Sequence, residues 1–320
     1  MVRSHELEVI LPLYNGVKYL REQVASIHGQ TIRPLRLIAR DDDSTDGTKE
    51  LISELKDEYG EWLVLLSNNK NVGCTENVNI LLNRSTAKYI ALADQDDVWL
   101  PNKLEKALNK IREVEKKENR RIPILVHSDL YITDKRLRPY KKTYIEQQRL
   151  NVKATRPNDL MLTNIVTGCT AVMNRELLDI ALPIPKEALV HDWWLALVAS
   201  SFGVIRYVEE TSILYRQHGE NTIGAKGIGW EYWLDRLKGF IKNPKAGGHT
   251  YLAINQIKYF QNRYSKTISI LPNLIMERRI RRLVVLLRLG RQERPRKHGP
   301  LRTMALYIWL IRYKHKHREK

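Results

Sequence analysis

The side chains best equipped for chemistry sit in one short run, Tyr89-Ile90-Ala91-Leu92-Ala93-Asp94-Gln95-Asp96-Asp97-Val98-Trp99. An apolar strand that ends abruptly in Asp-x-Asp-Asp delivers three carboxylates to the edge of a sheet. Carboxylates this close repel one another unless a cation or a shared proton intervenes. Oxygen-rich sites of this kind suit Mg²⁺ or Mn²⁺, with phosphate oxygens completing the coordination. The competing reading is a solvated acidic loop that caps the helix starting near Pro101. A second acidic run, Asp41-Asp42-Asp43-Ser44-Thr45-Asp46-Gly47-Thr48, also follows an apolar strand. A carboxylate there could accept a hydrogen bond from a nucleobase imide, which favours uracil or thymine. Asp46 and Ser44 read better as caps of the next helix, whereas Asp41 and Asp42 precede it and read better as ligands.

Such groups need a scaffold, and the first 130 residues alternate between two periodicities. Strands are expected at residues 8–11, 35–39, 62–66 and 89–93, and helices at 17–28, 46–58, 75–83 and 102–118. Alternating units with near-continuous apolar strands predict an α/β fold: a mostly parallel, Rossmann-like sheet flanked by helices. Ligands bind such sheets beyond the carboxyl ends of the strands. Those ends carry residues 12–16, 41–44, 68–73 and 94–97, so four polar clusters fall on one rim. Beyond residue 121 the alternation fades. Further strands are expected at 124–127, 166–172, 204–207 and 213–215, a helix at 191–201, and a polar basic loop or helix at 140–156. From about residue 230 the pattern is helical.

Composition narrows the class. The 320 residues are 43% hydrophobic and 28% charged, which suits a globular chain able to build a full core. Two cysteines, Cys74 and Cys169, lack metal-ligand spacing and argue against a disulfide framework. The first residues turn polar at once, without the apolar stretch of a signal peptide, so a cytoplasmic start is expected. No apolar run approaches the ~20 residues that span a bilayer. Charge is concentrated: residues 271–320 hold 15 Lys and Arg against 3 Asp and Glu, while the whole chain carries +18. A uniformly basic nucleic-acid binder is not expected to gather its charge this way; a tail docked on an anionic membrane is.

Six segments, in order, resemble the inverting glycosyltransferases of family 2. They are Pro12-x-Tyr14-Asn15-Gly16, Asp41-Asp42-x-Ser44-x-Asp46-Gly47-Thr48, Asn71-x-Gly73-x-x-x-Asn77, Asp94-Gln95-Asp96-Asp97-x-Trp99, His191-Asp192-Trp193-Trp194 and Tyr215-Arg216-Gln217-His218-Gly219-x-Asn221-x-x-Gly224. The last two resemble a branch of rhamnosyltransferases and related bacterial polysaccharide enzymes. The resemblance covers roughly residues 5–225 and implies a GT-A fold acting on nucleotide-diphosphate sugars. One departure is Asp43, where the family usually has Gly.

The resemblance implies roles. Pro12, Leu13 and Tyr14 with Asp42 would hold the base, helped by Asp41, and Asn77 could touch the nucleotide or serve structure. Asp94 and Asp96 form the Asp-x-Asp pair around Gln95, with Asp96 the direct ligand of Mg²⁺ or Mn²⁺ and His218 a candidate further ligand or a structural histidine. Asp192 is the expected general base, since inversion by direct displacement needs a carboxylate across the sugar from the metal. It opens an apolar helix whose positive end can keep it ionised; read without the resemblance, it could simply be that helix's N-cap. His191 would tune or orient it. Of Trp193 and Trp194, one enters the core and the other could stack on a sugar ring. Arg216 could bind the diphosphate or an internal acid, Gly168 would let backbone approach the sugars, and Asn221 joins the donor and acceptor contacts. Cys169 reads as a small buried residue.

The tail has its own pattern. Met276, Ile280, Leu283, Val284 and Leu287 share one helical face and Arg278, Arg279, Arg281, Arg282 and Arg288 the other, as in an in-plane membrane helix or a surface helix packed on the catalytic domain. Residues 301–312 with the Lys314-His315-Lys316-His317-Arg318 run form a second candidate contact. The expected organisation is a catalytic domain at 1–225, with its nucleotide part to about 130, and a helical basic region at 226–320. The expected activity is metal-dependent transfer of a sugar, L-rhamnose from dTDP-rhamnose first and a UDP sugar next, to a growing, lipid-linked cell-surface glycan at an anionic membrane, with no nucleic-acid partner. A nucleotidyltransferase would need a Gly-rich phosphate loop where residues 12–16 have none. A nucleic-acid binder would leave the acidic rim unexplained, because carboxylates repel phosphate.

Overall fold

Each apolar run in the first half of the chain becomes a buried strand, and each amphipathic run becomes a helix laid over the sheet. The computed structural model describes residues 2–67, 70–217 and 248–265, with 303, 304, 306, 307 and 310. The elements that carry the rim are β2 (Leu7–Leu13), α1 (Val17–His28), β4 (Arg36–Asp41), α2 (Thr48–Tyr59), β5 (Leu63–Leu65), α3 (Cys74–Arg84), β6 (Tyr89–Leu92), β7 (Val98–Trp99) and α4 (Lys103–Glu118). They are followed by β8 (Ile124–Thr133), β9 (Pro139–Thr143), α5 (Tyr144–Gln148), α6 (Pro157–Leu160), β10 (Val172–Asn174), α7 (Arg175–Ala181), α8 (His191–Phe202) and β11 (Val204–Arg216). A two-residue pair, β1 (Val2–Arg3) with β3 (Ile32–Arg33), stands apart.

Among the described residues the main sheet has nine strands, in the order β5-β4-β2-β6-β10-β8-β11-β7, with β9 added on β8. β5, β4, β2 and β6 are parallel neighbours, as are β8 and β11, while β10, β7 and β9 run against their partners. This is the expected α/β architecture, mostly parallel and covered by helices. The expected strand at 166–172 is shorter: Thr170 N–H and Ala171 N–H bond back to the carbonyls of Thr167 and Gly168, closing a tight turn, and only Val172–Asn174 pairs. The two short strands expected at 204–207 and 213–215 are one, β11, whose register slips on either side of Thr211. Exposed Glu209 and Glu210 break the apolar pattern there, which is why sequence alone divides it. Of the loop or helix expected at 140–156, residues 144–148 form the helix α5, and residues 140–143 belong to the strand β9.

Helix α1 shows how the helices attach. It buries Leu20, Gln23, Val24 and Ile27, spaced three and four apart on one face. Each apolar member contributes about 1.5–3 kcal/mol by burial. The polar Gln23 on this face is an anomaly that the site explains below. The core continues through Leu7, Val9, Leu11, Leu37, Ala39, Tyr89, Ala91, Ile124 and Val126, strand residues of both halves of the sheet. Asp43 has a φ of +67°, so the departure from Gly leaves the left-handed turn in place. Asp tolerates that region better than most side chains.

The described residues divide into two compact units, one of residues 2–146, 166–186 and 190–217, the other including 147–165, 187–189 and the helix Gly248–Tyr264. In the second unit the Leu189 N–H donates to Gln256 Oε1 at 2.9 Å. No helix among the described residues is long and apolar enough to cross a membrane. The arginine-faced helix expected at 276–288 lies outside the described residues, as does most of 301–320.

Candidate active site

Because β2, β4 and β6 run the same way, the segments that follow them emerge on one edge, and hydrogen bonds stitch them into a single surface. After β2, Asn15 N–H donates to Ser44 Oγ and Gly16 N–H to Thr48 Oγ1, both at 2.8 Å. In return the Thr45 N–H donates to Asn15 Oδ1 at 2.9 Å. Tyr14 and Gln95 form a reciprocal pair: Tyr14 N–H donates to Gln95 Oε1 at 2.8 Å, and Gln95 Nε2 donates to the Tyr14 carbonyl at 2.7 Å. A Cβ on Gly16 would lie 2.3 Å from the Gln95 amide carbon, so any larger residue there displaces the Gln95 side chain from Tyr14. The Tyr14 ring remains exposed beside this pair, and Pro12 and Leu13 are the β2 residues that lead to it. Asn15, Gly16, Val17, Lys18, Tyr19, Asp46, Gln95 and Asp96 line a cleft of about 180 Å³.

Asp41 and Asp42 are both buried. Asp41 accepts from the Ser44 N–H at 3.0 Å and from its hydroxyl. Asp42 Oδ1 accepts from Arg40 at 2.8 Å and Val72 N–H at 3.0 Å, and Oδ2 from Gly73 N–H at 2.7 Å. A buried guanidinium left without its partner costs on the order of 3–5 kcal/mol, so Asp42 builds this loop whatever else it does. Among the described residues three of its roughly four acceptor positions are used, one of them on Oδ2. Of the two roles expected for Asn77, the structural one is seen. Its amide is joined at both ends to Arg40, at 3.0 and 3.2 Å, and it is 1% exposed, which makes it structural rather than a nucleotide contact. Asp46 and Ser44 do not cap α2 as expected. Gly47 takes that position in a left-handed conformation, and Asp46, one residue earlier, accepts from the Thr48 N–H at 3.1 Å.

The loop after β6 holds the acids. Asp94, Gln95 and Asp96 are half-buried and Asp97 is fully buried. Gln23, the polar residue on the buried face of α1, donates to the Asp94 carbonyl at 2.7 Å. Burial first, then the charges of Asp96 and Asp192, push Asp94 up to about 7. Asp97 is driven well above the ordinary carboxylate value by burial, then by Asp96 and Asp94. Its Oδ2 has no hydrogen-bond partner among the described residues. One oxygen each of Asp94 and Asp97 and the Cys169 sulfur lie within 4.8 Å of one another. Cys169 is fully buried, as expected, though it borders these acids. Clustered, mutually repelling oxygen donors with an unpartnered buried oxygen fit a hard divalent cation.

Asp192 belongs to the same electrostatic neighbourhood, since its charge is felt at Asp94 and, with Asp42, at the Cys74 thiol, which desolvation and these acids raise to about 11. It is not the N-cap of α8; Val190 is. Asp192 sits in the first turn, and its Oδ2 accepts from the Gly168 N–H at 2.9 Å. A Cβ on Gly168 would stand 3.0 Å from His191 Nε2 and 3.4 Å from Asp192 Oδ2. The open space expected at Gly168 for a sugar is therefore filled by these two side chains, and the glycine serves to seat them. Burial lowers the His191 pKa, so its ring is neutral at physiological pH, and Nδ1 has no partner among the described residues.

The tryptophan pair is resolved. Trp194 is fully buried and donates to the Ala181 carbonyl at 2.9 Å, so it is the core member and not a sugar contact; Trp193 stays half-exposed. Of the two partners expected for Arg216, a diphosphate or an acid of the protein, the structure shows the second. Arg216 is 3% exposed and bonds the carboxylate of Glu22, an exposed residue of α1, the Asp96 carbonyl at 3.1 Å and the Lys135 carbonyl at 2.6 Å, so its donors are engaged within the protein. His218 and Asn221 lie outside the described residues. Gln23, Glu22 and Arg40 were not singled out from sequence. A polar residue on an apolar helix face and a charge within an apolar strand were the available signals.

A family model described as Glycosyl transferase family 2 matches residues 8–180. The chain belongs to this family. It is 24% identical over 275 residues to an uncharacterised glycosyltransferase of Rickettsia prowazekii (strain Madrid E), covering 83% of each chain. It is 26% identical over 246 residues to the dTDP-rhamnosyl transferase RfbG of Shigella flexneri, covering 72% of this chain and 78% of that one. Among solved structures, residues 1–349 of S. aureus TarS in complex with UDP-GlcNAc superpose with a TM-score of 0.51 at 13% identity, over 85% of this chain and 76% of that one. That likeness shows the shared GT-A fold. The protein is thus a glycosyltransferase that draws on a nucleotide sugar.

Proposed function

We propose that this family 2 glycosyltransferase is an inverting enzyme in which Asp192 takes the proton of the acceptor hydroxyl. The observation that carries the reading is the seating of Asp192: the Gly168 N–H at 2.9 Å and the first turn of α8 hold its carboxylate where its charge is felt at Asp94. The positive end of the helix favours the charged form. The acceptor O–H proton passes to Asp192, the oxygen forms a bond to the anomeric carbon, and the bond to the nucleotide diphosphate breaks with its electron pair leaving on phosphate. Asp96, with Asp94 beside it, is the ligand for Mg²⁺ or Mn²⁺, which when bound neutralises charge on the leaving diphosphate. The exposed Tyr14 ring offers a face for the base, and the second acceptor position of Asp42 Oδ2 suits an imide N–H. Partly exposed Trp193, in the first turn of α8, is the member of the tryptophan pair assigned to a sugar.

L-Rhamnose from dTDP-rhamnose is the first donor to test, supported by the likeness to the Shigella flexneri enzyme. A lipid-linked glycan acceptor and peripheral attachment through the arginine-rich tail complete the reading, on the strength of the charge at residues 271–320. A screen of thymidine and uridine diphosphate sugars with and without Mn²⁺, scored by nucleotide diphosphate release, tests it. Metal-dependent release that is lost in Asp96→Ala and Asp192→Asn is expected. Full activity in Asp192→Asn would remove the base assignment.

A further inference from the structure

The loop of residues 94–97 is held at every position by a group from elsewhere in the chain. Gln23 of α1 holds the Asp94 carbonyl, Tyr14 after β2 pairs with the Gln95 amide, and Arg216 Nε donates to the Asp96 carbonyl at 3.1 Å. The Arg216 main-chain N–H also faces Asp97 Oδ1 at 3.4 Å, so this residue touches the loop from both backbone and side chain. Its guanidinium reaches in three directions at once, to the Asp96 carbonyl, the Lys135 carbonyl and the Glu22 carboxylate, and it lies over the Tyr19 ring at 4.4 Å. A planar fork spreads five donors over three nitrogens to meet such a set, whereas a lysine ammonium carries its three on one atom. Glu22, exposed on α1, supplies the counter-charge a buried guanidinium requires.

We infer that Arg216 is a positioning residue: it fixes the Asp96 peptide between the end of β11 and α1, and thereby sets the pose in which the Asp96 carboxylate meets a divalent cation. The Tyr-Arg pair that ends β11 is explained by this contact with the acidic loop, not by contact with substrate. The inference rests on the reading of Asp96 as a cation ligand, and its test separates the two.

Mn²⁺ binding to the full chain is measured directly, from the paramagnetic resonance signal of free Mn²⁺, for wild type, Asp96→Asn, Arg216→Met, Arg216→Lys and Glu22→Gln, each with its melting temperature. Asp96→Asn is expected to weaken binding at least thirtyfold. Arg216→Met weakens it about tenfold, Arg216→Lys recovers about threefold of that, and Glu22→Gln costs about threefold. Where activity is measured, kcat falls with the Mn²⁺ affinity while the donor KM at saturating Mn²⁺ stays within twofold. Unchanged Mn²⁺ affinity in a folded Arg216→Met protein overturns the inference. If that variant does not fold, wild-type affinity in Glu22→Gln overturns it instead. Undiminished binding in Asp96→Asn overturns the cation reading itself, whereas loss there with no change at Arg216 and Glu22 sinks only the positioning role.

Discussion

Asn in place of Asp192 keeps an oxygen for the Gly168 N–H to donate to but removes the proton acceptor. A fall in kcat of about 10²–10⁴-fold is therefore expected, with the melting temperature near wild type; steady-state kinetics and a thermal melt together check it. Asp94 gives a pH signature. Folded, its carboxyl titrates at about 7, against 3.8 for the ordinary side chain. The folded state thus holds a proton that the unfolded chain has released, so this group's contribution is intact below about 4 and is lost as pH rises to about 7. Asp94→Asn should raise the melting temperature relative to wild type by a margin that widens between pH 4 and 7, and Mn²⁺ should stabilise wild type more at pH 8 than at pH 5. A margin that stays flat across the window would contradict the burial argument.

At the scale of elements, the turn before β10 and the first turn of α8 act as one device. Gly168→Ala puts a methyl 3.0–3.4 Å from His191 and Asp192, tighter than ordinary packing allows, so the neighbours must shift. Activity should drop at least tenfold while the melting temperature falls by only a few degrees, about 1 kcal/mol in a domain of this size. A crystal structure or a kcat measurement on the variant checks this. That device was only half legible in the sequence. Asp192 stood out because an acid opened an apolar helix, but its bond to Gly168 joins segments whose spacing carries no period. The nucleotide half was readable because continuous apolar runs in parallel strands bring residues 12–16, 41–48 and 94–97 to one edge. β7 and β10, two and three residues long, were not, since so short a run has no alternation to detect. Arg216 and Trp194 show the other limit: side-chain type suggested ligands, and only partners remote in the chain reveal that both face inward.

At the scale of the whole molecule, charge asymmetry makes a prediction separate from catalysis. Full-length protein should co-sediment with vesicles containing anionic lipid and be released as salt rises, with far weaker binding to duplex DNA under the same conditions. Equal binding to both would favour the nucleic-acid reading of the tail. The expected α/β architecture is present, and it has a consequence for how the donor is received. The acidic loop leaves β6, which pairs with β2 and β10, and re-enters the sheet at once as β7, which pairs with β11. A bridge spanning two arms of one sheet has no slack to take up on binding, so whatever gates turnover must move elsewhere in the chain.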